Sequence, residues 1–483
     1  MQLAEDPTSI YKINASNFKQ LNVKFTIRLH TGQINDCLFI ELDPLVNQRK
    51  EQQKPIINLI KNKNLDEDVN NIAAKIQMPL ICSVSNDNWI KIYSLEDRSL
   101  FRSHNASNFS LSSVDCIQIK TSTQDQYEFA NSSVISLEGL NIKADTYDDE
   151  KRIKRSLSTD SFYKTLLFLS CWDNSMYIYD MNYNRCIHTL SNSHDDAISR
   201  VRIMNFKQEE KLTSKQSSSH TLIVTSSWDS SIKIWRSPSL TNKQSNENRD
   251  FIRTEYLSEL GHDSAVVDFQ LSRSYLASIC EDGNLYMWKL NAKSSDSVSS
   301  NSEANNGESE DDESSSNFES IYSYLYTIQS SSDIGKINDC KINESNNNNV
   351  STLAVCTSFG FIKIFNIQTN AELFSLKVNQ PSNPSINANM NKLYYTPSFI
   401  ITIDQSGHVY FIDLQQVNNS NSNSNSGGSD LVIENSKLKN SSFLNHTIKL
   451  CSNSLQTLCI YKDMIVCVGD SDGNLYFLSL IDI

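Results

Sequence analysis

Hydrophobic and polar positions alternate along this chain in short runs, and seven of those runs carry the same phrase. A small or acidic turn leads into an apolar strand that closes on an aromatic or aliphatic residue. The seven are Ser85–Tyr93, Cys171–Tyr179, Ser227–Trp235, Cys280–Trp288, Thr357–Phe365, Asp404–Ile412 and Asp470–Leu478. A period of two marks half-buried strands, with Gly, Asn, Asp and Ser supplying the turns. One such unit cannot bury its own apolar face, so the units must stack on one another.

Each unit parses as four strands, most clearly Arg185–Leu190, Ala197–Met204, Thr221–Ser226 and Ser231–Trp235. Four-stranded units in radial repetition predict an all-β fold, a seven-bladed β-propeller. The last unit ends after its third strand, while Val23–Leu29 (VKFTIRL) precedes the first as a spare strand. The expectation is that this N-terminal strand completes the seventh blade and removes an open edge. Residues 1–22 are then an N-terminal extension and 23–483 the propeller, complete within this chain.

The repeats are spaced more widely than the roughly 40–45 residues usual for this architecture. The excess lies in tracts near 41–78, 120–163, 205–219, 290–319 and 415–442, several of them Asn/Ser-rich or charged, so disorder is expected there. Each tract falls between the first and second strands of a unit or between the third and the outer fourth. Those connections share one face of the disc. The opposite face is either kept clear for a partner, or insertions are merely tolerated where loops are already loose.

The repeat carries candidate chemistry. In the third unit His194, Ser227, Asp229 and Trp235 have the spacing of a relay in which Asp holds the imidazole, the imidazole bonds the hydroxyl, and the hydroxyl accepts from the indole. The fourth unit keeps His262, Asp282 and Trp288 but has Cys280 at the hydroxyl position. The first keeps His30, Ser85 and Asp87 and ends in Tyr93. Asp173 stands with Cys171 and Tyr179 in the second, and Asp472 in the seventh. Phe359 and Ser406 replace the aspartate in the fifth and sixth, so those blades should depend more on packing. A His/Ser/Asp trio can also be read as a catalytic triad, but the Trp partner and the repetition explain it structurally. Trp172 and Trp228 precede the turn aspartates; they either anchor a partner or fill gaps between blades.

A net charge of −13 argues against general nucleic-acid binding. The 11 cysteines form no CxxC pair and sit mostly in apolar strands, as buried thiols in a reducing compartment do; neither a disulfide framework nor a metal site is expected. No apolar run is long enough for an integral membrane segment, and the first residues lack a signal-peptide pattern, so a cytoplasmic protein is expected. The stretch 296–319 holds acidic residues and no basic one, reading as a solvated tether or a dock for a basic partner. Lys151–Asp160 (KRIKRSLSTD) makes Ser158 a candidate phosphorylation site.

The turn-and-strand phrases resemble those of WD-repeat proteins. The ordered phrases NDNWIKIYSLEDRSLFRSHNASNFSLSSVDCI, SCWDNSMYIYDMNYNRCIHTL, HDDAISRV, SSWDSSIKIW and GHDSAVVDF are similar to the C-terminal propeller of BEACH-domain proteins of the type of the factor associated with neutral sphingomyelinase activation (FAN). The likeness is strongest over 86–268 and fades after about 336. It implies an adaptor in vesicle trafficking or receptor-proximal signalling to sphingolipid turnover, peripheral to membranes through a partner. A BEACH module would act in cis or in trans, since 1–22 cannot hold one.

No phosphate loop, metal cluster or pair of catalytic carboxylates stands out from the repeat. The expected function is a non-catalytic scaffold without cofactor that binds other proteins through its compact face. The alternative is a WD-repeat subunit of a nuclear or ubiquitin-ligase complex. An enzyme with its site in the central channel would need convergent carboxylates there.

Overall fold

The computed structural model describes residues 18–41, 79–95, 98–120, 163–181, 184–207, 219–237, 254–291, 321–344, 350–380, 383–414, 444–462 and 465–482. These residues form a seven-bladed β-propeller. After β1 (Phe18–Arg28), blade 1 is β2 (Ile34–Glu41), β3 (Pro79–Ser85), β4 (Trp89–Ser94) and β5 (Ser99–Asn105). Blade 2 is β6 (Leu111–Lys120), β7 (Tyr163–Cys171), β8 (Met176–Asp180) and β9 (Arg185–Leu190). Blade 3 is β10 (Ile198–Lys207), β11 (Ser219–Ser227), β12 (Ser231–Ser237) and β13 (Glu255–Gly261). Blade 4 is β14 (Val266–Leu271), β15 (Tyr275–Cys280), β16 (Leu285–Leu290) and β17 (Tyr322–Ile328). Blade 5 is β18 (Ile337–Asn343), β19 (Thr352–Thr357), β20 (Phe361–Asn366) and β21 (Glu372–Lys377). A hairpin, β22 (Asn379–Gln380) and β23 (Asn383–Asn387), leads to blade 6, which is β24 (Met390–Tyr395), β25 (Phe399–Asp404), β26 (His408–Asp413) and β27 (Leu444–Lys449). Blade 7 is β28 (Leu455–Tyr461), β29 (Ile465–Asp470), β30 (Asn474–Asp482) and β1.

The first strand of each blade is innermost, and these seven strands adjoin one another in a closed cycle. Each sequence unit therefore begins with the outer strand of the preceding blade, as Arg185–Leu190 does in blade 2.

Period-two alternation explains the packing. In β7, Leu167, Leu169 and Cys171 face Cys82, Val84 and Ile90 of blade 1. The intervening Leu166 and Phe168 face Ile198, Val201 and Ile223 of blade 3. Such a strand is buried on both sides and reads as a continuous apolar run. Seven clusters of this kind fill the seven interfaces between blades, each large side chain contributing about 1.5–3 kcal/mol.

Closure runs through β1, antiparallel to β30 from Phe18↔Asp482 to Arg28↔Asn474. The strand begins at Phe18 rather than Val23, because Leu21 continues the alternation and is buried against blades 6 and 7. Phe25 stacks on Phe477 with ring centroids 4.5 Å apart. Gly473 seals the join: its carbonyl accepts from the Leu29 and His30 N–H groups at 2.9 and 3.0 Å. Its φ is +88° and a Cβ there would lie 2.2 Å from the His30 carbonyl oxygen, so only glycine fits.

The expected insertion tracts lie largely outside the described residues, as do Ser158 and the acidic stretch. All of the tracts connect first to second or third to fourth strands, and so do 238–253 and 345–349. The opposite face carries turns and short loops, with the β22–β23 hairpin as an addition that the repeat pattern does not show. Among the described residues no helix is long and apolar enough to cross a membrane.

Candidate partner-binding face and the relays beneath it

The compact face is made of turns between second and third strands and loops leading into each innermost strand. One hydrogen bond recurs in every blade. The backbone N–H groups of Asn86, Trp172, Trp228, Glu281, Ser358, Gln405 and Ser471 donate at 2.8–3.0 Å to the carbonyls of Gln33, Ser110, Ala197, Ala265, Lys336, Asn389 and Ser454. These seven equivalent positions ring the start of the innermost strands. Two adjacent blades place indoles there: Trp172 is 51% exposed and Trp228 44%. Phe109, in the loop beside Trp172, is also exposed. Both tryptophans face solvent instead of filling a gap between blades. Exposed Asp195, Asp196, Asp263, Glu281 and Asp282 lie on the same face in blades 3 and 4.

Under this face the relay of blade 3 is built around Thr225, not Ser227. Asp229 Oδ2 holds His194 Nδ1 at 2.8 Å. His194 Nε2 meets Thr225 Oγ1 at 2.8 Å, and Trp235 Nε1–H donates to the same oxygen at 3.0 Å. With Nδ1 protonated toward the carboxylate, Nε2 accepts the Thr225 hydroxyl proton, which leaves that oxygen free for the indole. Ser227 lies two residues along the same strand face. It donates to the Asp196 and Ala197 carbonyls and accepts from Asp229 N–H, bracing the turn.

The first blade repeats the displacement. His30 Nδ1 meets Asp87 at 3.0 Å and Nε2 meets Ser83, not Ser85, at 2.8 Å; Ser85 bonds the Gly32 carbonyl. Burial opposes ionisation of Asp87, but hydrogen bonds from His30 and the Thr31 N–H outweigh it and hold the carboxyl well below its usual range. Tyr93, in the Trp position, packs on Phe477.

In blade 4 the hydroxyl is present as Ser278, which receives His262 Nε2 at 2.7 Å and Trp288 Nε1–H at 3.0 Å. The expectation of a missing hydroxyl at Cys280 is thus corrected, and the break lies elsewhere. Asp282 turns to the Asn284 amide, and His262 Nδ1 has no partner among the described residues. Burial takes the His262 pKa down to about 4, so the ring is neutral at pH 7 and rests edge-on against Tyr286 and Trp288.

The remaining blades use other devices. Asp173 accepts from Ser107, which stands where other blades have His, and from the Tyr177 hydroxyl. Blades 6 and 7 move the carboxylate two residues back, where buried Asp404 and Asp470 receive Tyr410 and Tyr476 hydroxyls at 2.8 and 3.0 Å. Asp472 binds the Asn453 amide at 2.9 Å instead of a histidine.

Replacing Thr225 by valine leaves the His194 nitrogen and the Trp235 N–H unpaired in a fully buried site. We expect about 2–3 kcal/mol of destabilisation in urea unfolding, against about 1 kcal/mol for Ser227→Ala. Equal losses would return the relay to Ser227.

A second ring lies deeper. Every innermost strand has a bulge after its first residue, and the residue that follows is polar: Asp36, Ser113, Arg200, Asp268, Asp339, Lys392 and Thr457. Arg200 grips Asp268 with Nε and Nη2 and reaches Asp36 with Nη1 at 2.8 Å. Lys392 donates to the same Asp268 Oδ2 that Arg200 Nη2 holds and lies 3.8 Å from Asp339. Burial works against charge on Asp268, yet Arg200 and Lys392 hold its carboxyl well below the usual range. The channel carboxylates are thus paired with cations. The sequence reading missed this ring, although every member except Asp268, which follows Val266–Val267, comes after an apolar–polar pair at the head of an innermost strand.

The bulged residues latch neighbouring blades. Asn35, Ser112, Ser199, Asn338 and Asn391 each donate to the carbonyl of the first residue in the next innermost strand.

No family model matches the chain. The class of the molecule rests on the fold: a β-propeller, commonly a protein-interaction scaffold.

Proposed function

We propose that this protein is a non-catalytic scaffold whose compact face binds another protein. The carrying observation is the pair of exposed indoles at equivalent positions of adjacent blades, at the mouth of a ring that the relays hold rigid. Large aromatics on a rigid frame lose little entropy on binding and supply the anchors of most interfaces. The exposed carboxylates beside them suit a partner segment combining cationic and apolar side chains. The resemblance of the middle blades to FAN-type BEACH proteins supports an adaptor in vesicle trafficking or receptor-proximal signalling, with a BEACH module as one partner in cis or in trans.

The test compares quantitative partner capture by the intact chain and by Trp172→Ala, Trp228→Ala and the double variant. Loss of at least about 2 kcal/mol in binding, roughly 30-fold, is expected at an anchor position, while stability should move by no more than about 0.5 kcal/mol. Unchanged capture by the double variant would remove the face assignment. A purified BEACH module that fails to bind the intact chain would remove the trafficking reading and leave the scaffold intact.

A further inference from the structure

Where blade 7 meets blade 1, three thiols from distant parts of the chain converge. Cys37 comes from innermost strand β2, Cys459 from innermost strand β28, and Cys467 is the cross-strand partner of Cys459 on β29. Their sulfurs all lie within 4.8 Å of one another, with Cys37 and Cys459 3.3 Å apart. Cys37 and Cys467 are buried, and Cys459 is half-buried. The Thr457 hydroxyl is 3.6 Å from the Cys37 sulfur.

A four-coordinate ion with thiolates at about 2.3 Å separates its sulfurs by roughly 3.8 Å. The triangle already has that scale, so an ion could be seated by small side-chain rotations without moving the strands. Hydrogen bonds from Cys459 and Cys467 pull the Cys37 thiol down, while burial drives the other two up. Binding a cation would release the thiol protons, and thiolate sulfur selects soft ions over Mg²⁺ or Ca²⁺. Other cysteines lack this convergence: Cys186, for example, is exposed and bonds only locally.

We propose that Cys37, Cys459 and Cys467 bind one thiophilic d¹⁰ cation, Zn²⁺ or Cu⁺, which clips blade 7 to blade 1. The fourth position would be taken by Thr457 or water. The ion would tie together the seam that β1 closes from outside and stabilise the native ring by mass action.

Titration of the reduced full chain with Cd²⁺ tests this, since Cd–thiolate bonds absorb in the near ultraviolet. A charge-transfer band saturating at one equivalent is expected, together with a higher Tm, and both should vanish in Cys459→Ser and persist in Cys186→Ser. No band at one equivalent in the intact chain would overturn the proposal, whether or not the serine variants fold. So would a full band in folded Cys459→Ser and Cys467→Ser.

Discussion

Deleting residues 1–28 is expected to abolish the soluble monomer. The deletion strips β30 of its outer ladder partner from Phe18↔Asp482 to Arg28↔Asn474 and leaves it paired only with β29, as a bared edge. It also removes Leu21 from the cluster between blades 6 and 7 and Phe25 from its stack on Phe477. Each lost apolar contact costs about 1.5–3 kcal/mol, and the ladder adds to that, so the total approaches the roughly 5–15 kcal/mol that holds a whole domain folded. The bared edge of β30 carries Leu475, Phe477 and Leu478, a template for pairing with other chains. Size-exclusion chromatography should show aggregate, and circular dichroism no cooperative melt. A monomer melting within about 5 °C of the intact chain would mean that the ring does not depend on this strand.

The second large effect is expected at Arg200. Its side chain is the only described group that touches Asp36 and Asp268 together, joining blade 3 to blades 1 and 4. Replacing it with methionine keeps the volume but leaves two buried carboxylates facing each other without the guanidinium. Breaking a buried pair from one side costs about 3–5 kcal/mol, and here two acids lose their shared guanidinium, so a loss within that range is expected. Lys392 would still compensate Asp268, and Arg202, 3.5 Å from Asp36, would partly compensate the other. Arg200→Lys should fall between, because an ammonium cannot make the two-pronged contact with Asp268. Chemical unfolding curves for the three proteins decide it. A loss under about 1 kcal/mol for the methionine variant would show that water or rearrangement neutralises the ring.

The blades were legible because the repeated phrase fixes which strands are equivalent, and a missing outer strand at one end with a spare at the other points to closure. The relay was legible only to within one strand period. Ser227 and Thr225 lie on the same face of β11 and both carry hydroxyls; depth below the turn decides which one meets His194, and spacing alone does not encode depth. The same ambiguity hid Ser83 behind Ser85 and Ser278 behind Cys280. The channel ring left a trace that alternation alone overlooks, because a bulge shifts the phase and lets a charged residue follow two strand residues. The thiol triangle left none, since Cys37 and Cys459 are separated by 422 positions and meet only when the ring is closed.

The latches on the innermost strands have a consequence for how the disc is assembled. They run from blade 1 through blade 4 and again from blade 5 through blade 7. The two joints without one are marked by Val267, which has no polar group to offer, and by Gln456, whose amide turns back to Ser454. The molecule is therefore a pair of arcs, four blades and three, each stitched by contacts between successive repeats. Two seams across the disc complete it. One seam is bridged by Lys392, which reaches Asp268 from the three-blade arc, the other by a borrowed strand. A chain built this way can complete each arc from near neighbours and leave the costly long-range meetings to two places, one of them the junction between its own ends.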